Sequence, residues 1–107
     1  MLLKVGLHTY DVTFPDVVTD QGKDVFGLTD TNTLTIQISS SVQHSLQVET
    51  LIHEICHACF YFSYLWKQNK PDEELIVSQM AFFLSSVFID NPWVLKFIQE
   101  GRAAFIS

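Results

Sequence analysis

Basic residues are scarce in this chain. Lys and Arg together number 6 against 12 Asp and Glu, for a formal net charge of −6 over 107 residues. The cations are scattered rather than gathered on a stripe, which speaks against nucleic acid as a partner. Cysteine is scarcer still, with Cys56 and Cys59 alone, three positions apart. That excludes a secreted disulfide scaffold, which needs more cysteines at wider spacing. No apolar run reaches the roughly 20 residues of a membrane span. The longest, Leu75 to Ile89, is broken by Ser78, Gln79, Ser85 and Ser86. Met1, Leu2, Leu3 and Lys4 lead straight into an alternating segment, so no signal peptide is read there. No membrane contact is expected, and the reading is a soluble protein of a reducing cytoplasm. Repeats, low-complexity tracts and linkers are lacking too, so residues 1–107 are read as a single domain. What the chain does have is core material: 48% of its residues are hydrophobic and nine are Phe. So much apolar surface on a small domain also leaves self-association into a homo-oligomer open.

The two halves differ in pattern. Lys4 to Phe14 is rich in β-branched and aromatic residues and stops at Pro15, which suits a strand. Asp20-Gln21-Gly22-Lys23 is a turn signal, Val25 to Leu28 a short strand and Asp30-Thr31-Asn32 a second turn. Thr33 to Ser39 alternates, with Leu34, Ile36 and Ile38 on one face and Thr35 and Gln37 on the other. Beyond residue 44 the pattern becomes helical. Ser45 would cap a long helix from about Leu46 to Trp66, ended by Asn69-Lys70-Pro71. Asp72 would cap a second helix to about Ile89. Asn91-Pro92 would start a short third one to about Glu100, stopped by Gly101. Strands first and helices after predict an α+β fold, a small antiparallel sheet followed by three helices.

Inside the first helix lies His53-Glu54-Ile55-Cys56-His57, an H-E-x-x-H motif. Residues four apart on a helix are turned by about 40°, so both imidazoles lean toward one point, where Zn2+ accepts neutral histidine nitrogen. Glu54, about 100° from His53, would reach a water at that point without being a ligand. As general base it would take a proton from that water and later pass it to a leaving amine. Zinc would lower the pKa of the water to roughly 7 and polarise a scissile carbonyl. The plainer alternative is two histidines on a polar helix face beside a solvated glutamate.

Two histidines leave tetrahedral zinc short of a third protein ligand. A third histidine six residues on is excluded, because Ser63 stands there and Phe60 replaces the expected glycine. The next helix offers Glu73 and Glu74. If Val77, Met80, Leu84 and Val87 form its core face, Glu73 lies on the centre line and Glu74 at the border, beside Ser78 and Ala81. A ligand belongs at the cleft edge, so Glu74 is favoured, with Glu73 the alternative. An acidic first turn that complements the helix dipole is the simple reading of either.

Cys56 and Cys59 form a C-x-x-C in the middle of a helix, where a redox pair would open one, and are read as core thiols. His8 and His44 lack spaced partners and read as ordinary polar residues. Tyr10, Tyr61 and Tyr64 are candidates for oxyanion stabilisation, though core packing is the simpler role for each.

The chain resembles the minimal gluzincin metallopeptidases, in particular short stand-alone versions encoded by bacterial viruses, with the ImmA/IrrE-like and SprT-like zinc peptidases as distant relatives. The resemblance runs through Gly6 to Tyr10, Phe26 to Asp30, Leu34 to Ile38, Thr50 to Ala58 and Glu73 to Asn91-Pro92. It implies a zincin-like active-site helix with His53 and His57 on zinc, Glu54 as catalytic base and the glutamate pair supplying the third ligand. It further implies that the strand Leu34, Thr35, Ile36, Gln37 and Ile38 borders the cleft, so that a substrate would add to it as an extra strand. The expected activity is hydrolysis of peptide bonds in a protein or peptide substrate, in the host bacterial cytoplasm if the chain is phage-encoded. A non-catalytic scaffold that keeps zinc as a staple is the alternative.

Overall fold

The computed structural model describes residues 1–63, 65–67, 69, 70 and 72–104. The expected strand over Lys4 to Phe14 is two strands, β1 (Leu2–Val5) and β2 (His8–Thr13). They are folded back antiparallel with Val5 opposite His8. Gly6 breaks the run. It sits at the first of two loop positions with φ +60°, the requirement of a tight hairpin turn with Gly in that place. The predicted turn at Gln21-Gly22 joins β3 (Val18–Asp20) to β4 (Lys23–Val25), and both loop residues have positive φ, 52° and 80°. β5 (Gly27–Asp30) and β6 (Thr35–Ile38) follow. Thr33 and Leu34, expected in the strand, belong to its turn. Asp30 Oδ1 accepts from the amides of Asn32 and Thr33, and Leu34 has φ +56°.

The fold is α+β. The main sheet has the order β1-β2-β6-β5 and is mixed rather than wholly antiparallel: β6 runs parallel to β2 and antiparallel to β5. The chain leaves the sheet after β2, makes the separate β3-β4 hairpin and returns through β5, so β6 enters in the same direction as β2. Alternation delivers Leu3, Val5, Tyr10, Val12, Ile36 and Ile38 to one face, all buried.

Three helices cover that face: α1 (His44–Phe62), α2 (Glu73–Asp90) and α3 (Pro92–Glu100). α1 buries Gln47, Thr50, Leu51, Glu54, Ile55, Ala58 and Cys59, a continuous helical stripe, against β5 and β6. Gln43 rather than Ser45 is its N-cap. α1 ends at Phe62, short of the expected Trp66. The Ser63 hydroxyl donates to Phe60 O at 2.7 Å and accepts from Leu65 N at 3.3 Å, a local alternative to continued helix. Asp72 caps α2 as expected, accepting from Leu75 N at 2.7 Å. Pro71 and Tyr64 lie outside the described residues.

α2 presents Ile76, Met80, Phe83 and Val87 inward, and Val77, assigned to the core by sequence, is 54% exposed. Its corner with α3 covers the outer edge of β1. The buried Asn91 side chain accepts from Lys4 N and donates to Lys4 O and Val87 O, each at 2.8 Å. Trp93 Nε1 donates to Leu2 O at 2.9 Å. No single helix among the described residues is long and apolar enough to cross a membrane. α2 and α3 pass that test only when taken together, and they meet at a bend of 83°.

Candidate metal centre

Glu54 falls in the middle of the buried stripe of α1, while His53 and His57 stand one step to its side, at the stripe's margin. Glu54 is therefore 6% exposed and the imidazoles open to a cleft. The two Nε2 atoms are 3.1 Å apart. Tetrahedral zinc with bonds of roughly 2.0–2.1 Å holds its ligands about 3.3 Å apart, so the pair already stands close to the separation that ion demands. Among the described residues, potential ligand atoms of His53, Glu54 and His57 converge within 4.8 Å of one another.

A buried carboxylate requires partners, and β5 supplies them. Thr29 Oγ1 donates to Glu54 Oε1 at 2.8 Å and approaches the Glu54 carbonyl oxygen at 3.3 Å. The other oxygen, Oε2, is 3.9 Å from His53 Nε2. One oxygen is thus anchored and the other faces the histidines. The close approach of strand to helix depends on Gly27. A methyl group there would lie 2.6 Å from Thr50 Cγ2, 3.0 Å from Glu54 Cγ and 3.2 Å from Gln37 O. Thr29 and Gly27 belong to no motif. Gly27 falls in the short strand signature at 25–28, Thr29 just beyond it, and both lie in the Phe26 to Asp30 stretch of the resemblance.

The cleft, about 440 Å³, is lined by Asp20, Leu28, Thr31, Phe60 and Tyr61 beside Gly27, Thr29 and the motif residues. It continues past Gly27 into a recess of about 330 Å³ lined by Phe26, Leu46, Glu49 and Thr50. The strand bordering it is β5. The substrate-binding edge expected at Leu34, Thr35, Ile36, Gln37 and Ile38 is corrected, because β6 pairs with β2 on one side and β5 on the other and has no edge to offer. Among the described residues β5 pairs only with β6. Phe26 O accepts from Ser39 N at 2.8 Å, and an antiparallel ladder alternates its bonds. The N–H and C=O groups of Gly27 and Thr29 therefore point away from β6.

Neither residue expected as the third ligand joins the histidines in this arrangement. Glu73 and Glu74 are exposed and stand outside the converging group. α2 turns Ile76 and Met80 toward His53, Cys56, His57 and Phe60. At about 100° per residue, Glu74 then points nearly opposite to that face, while Glu73 lies one turn before Ile76, near its margin. The inward face of α2 is rotated from the one read in sequence, which reverses the preference between the two glutamates.

The remaining candidates divide cleanly. Tyr61 lines the cleft, one helical turn after His57. Tyr10 is core. Its hydroxyl has no hydrogen-bond partner among the described residues, and burial, with the charges of Tyr61, Cys59 and Asp30, pushes its pKa up to about 12. Tyr64 lies outside the described residues. His8 stacks on Phe62 with ring centroids 4.1 Å apart, and His44 Nε2 lies 3.0 Å from Ile98 O. Cys59 is a buried free thiol, pushed up to about 12 by burial and then by Cys56. Cys56 is half-buried and lines the recess beside the histidines, not the core as expected. Burial raises its pKa too. Compared with protein-family models, curated proteins and solved structures, the chain finds no match in any of the three.

Proposed function

We propose that this chain is a zinc-dependent peptidase of the H-E-x-x-H type, acting on a protein or peptide substrate. The observation that carries the reading is the pairing of two imidazole nitrogens 3.1 Å apart with a buried carboxylate whose free oxygen faces them. His53 and His57 would hold the ion, which supplies Lewis acidity to a water and a carbonyl. Glu54 Oε2 accepts a proton from the attacking water as its oxygen bonds to the carbonyl carbon. It then delivers that proton to the departing amine nitrogen as the C–N bond breaks. Thr29 keeps Oε1 fixed, so the basic oxygen stays on the histidine side. The outward backbone groups of Gly27 and Thr29 would bind the substrate as an added strand.

The absence of a third protein ligand from the converging group favours a second reading. Glu54 would itself be a ligand, in a structural site of a non-catalytic scaffold. Measured zinc content and peptide cleavage, with wild type and Glu54→Gln compared, separate the two. A base predicts one zinc per chain in both proteins and loss of cleavage by about 10²- to 10⁴-fold in the variant. A ligand predicts loss of zinc. Wild-type cleavage by Glu54→Gln would end the peptidase mechanism, and wild-type protein without affinity for zinc would end both.

A further inference from the structure

The walls of the cleft carry unpaired negative charge on both sides of the histidines. Asp20 lines the side of Thr31 and Tyr61, and Glu49 lines the side of Phe26 and Leu46. The two recesses share Gly27, His53 and Glu54, so they are parts of one groove. Glu49 stands one helical turn before His53, and Asp20 closes β3 at the tip of its hairpin. Among the described residues neither carboxylate forms a hydrogen bond or ion pair, and no Lys or Arg lines either part of the groove. Lys23, opposite Asp20 in the hairpin register, makes no ion pair with it and is absent from the lining. Both carboxylates also stand outside the converging ligand group, so neither is spent on a metal.

We infer that the groove selects cationic peptides, with a Lys or Arg on each side of the bond to be cleaved. This rests on the peptidase reading and adds its substrate class. A peptide laid along β5 passes Asp20 on one side of His53 and Glu49 on the other, and each carboxylate receives a side-chain cation without displacing an existing partner. The chain's net charge of −6 acts in the same direction, drawing cations toward the groove and repelling acidic peptides.

The test uses zinc-loaded Glu54→Gln protein and three extended eight-residue peptides of equal length, one lysine-bearing, one neutral and one glutamate-bearing. Binding is read by fluorescence anisotropy at low and high salt. The lysine peptide should bind about tenfold tighter than the neutral one, the glutamate peptide weakest, and high salt should compress the series. Asp20→Asn and Glu49→Gln should each weaken lysine-peptide binding roughly two- to fivefold, as expected of exposed ion pairs, and leave the neutral peptide unchanged. Asp20→Lys with Glu49→Lys should reverse the order. Equal binding of the three peptides, or an order indifferent to both substitutions, overturns the inference. Cleavage of the same peptides by the wild-type protein is scored separately. Cleavage of none of them counts against the peptidase reading, while the binding order still decides the charge preference.

Discussion

Thr29 Oγ1 stands 2.8 Å from Glu54 Oε1, tying the edge strand to the one buried acid of the H-E-x-x-H motif. Thr29→Val keeps the shape and removes the donor. We expect turnover to fall roughly tenfold or more with zinc content unchanged, the usual effect of losing a group that orients a site residue. Thr29→Ser should recover most of it. A stability loss of about 1–2 kcal/mol should accompany the valine variant, because a buried carboxylate oxygen is left unpartnered. Metal analysis, steady-state kinetics and urea unfolding on the three proteins check all of this.

Gly27→Ala should destabilise the fold by about 1–3 kcal/mol through overpacking alone. The new methyl group meets Thr50 Cγ2 at 2.6 Å, so Thr50→Ser, which deletes that carbon and keeps the bond from Oγ1 to Leu46 O, should restore part of the loss in the double variant. The two effects will not add, and a double-mutant cycle of unfolding free energies measures the coupling.

Tyr10→Phe should raise stability near neutral pH by about 1 kcal/mol, since it removes a buried hydroxyl that has no partner among the described residues. The pH dependence follows from the same burial. The Tyr10 pKa rises from 10.0 to about 12 in the folded protein, so between those values the folded state keeps a proton that the unfolded chain releases. The Tyr10 contribution to stability is therefore complete below pH 10 and falls as pH rises through the window. Cys59, raised from 9.0 to about 12, adds a decline that begins at lower pH. Thermal melts from pH 8 to 12 should show a shallower fall in the phenylalanine variant.

Asn91→Ala removes three hydrogen bonds to Lys4 and Val87 and strips the cover from β1. A loss of about 2–3 kcal/mol is expected in chemical denaturation, together with faster aggregation in light scattering as the strand edge is laid bare.

Much of this was legible in the residues themselves. The motif histidines and Glu54 follow from helix geometry, and the structure brings the three together as their spacing requires. The alternation of Ile36 and Ile38 located the central strand. What the sequence concealed is relational. Nothing local says that β6 would be flanked on both sides, because strand order depends on how distant segments pair. The burial of Glu54 became visible only once the stripe from Gln47 to Cys59 was seen against β5, since a glutamate reads as a surface residue until its partner Thr29 is known. The rotation of α2 escaped for a similar reason. That helix is apolar around most of its girth, so periodicity could not decide between Val77 and Ile76 as the inward residue. Asn91 signalled a helix start, and its side chain serves the first strand 87 positions away instead.

The covered first strand has a consequence for crowded solutions. A sheet that can be extended from both ends will polymerise, whereas among the described residues this one is covered by Asn91 and Trp93 at β1, and the outward groups of Gly27 and Thr29 on β5 have no strand partner. Two copies meeting along that open side would form a closed pair with the histidines shut between them. Growth of the main sheet would stop there, so the same asymmetry that leaves room for a guest strand limits that sheet to a pair.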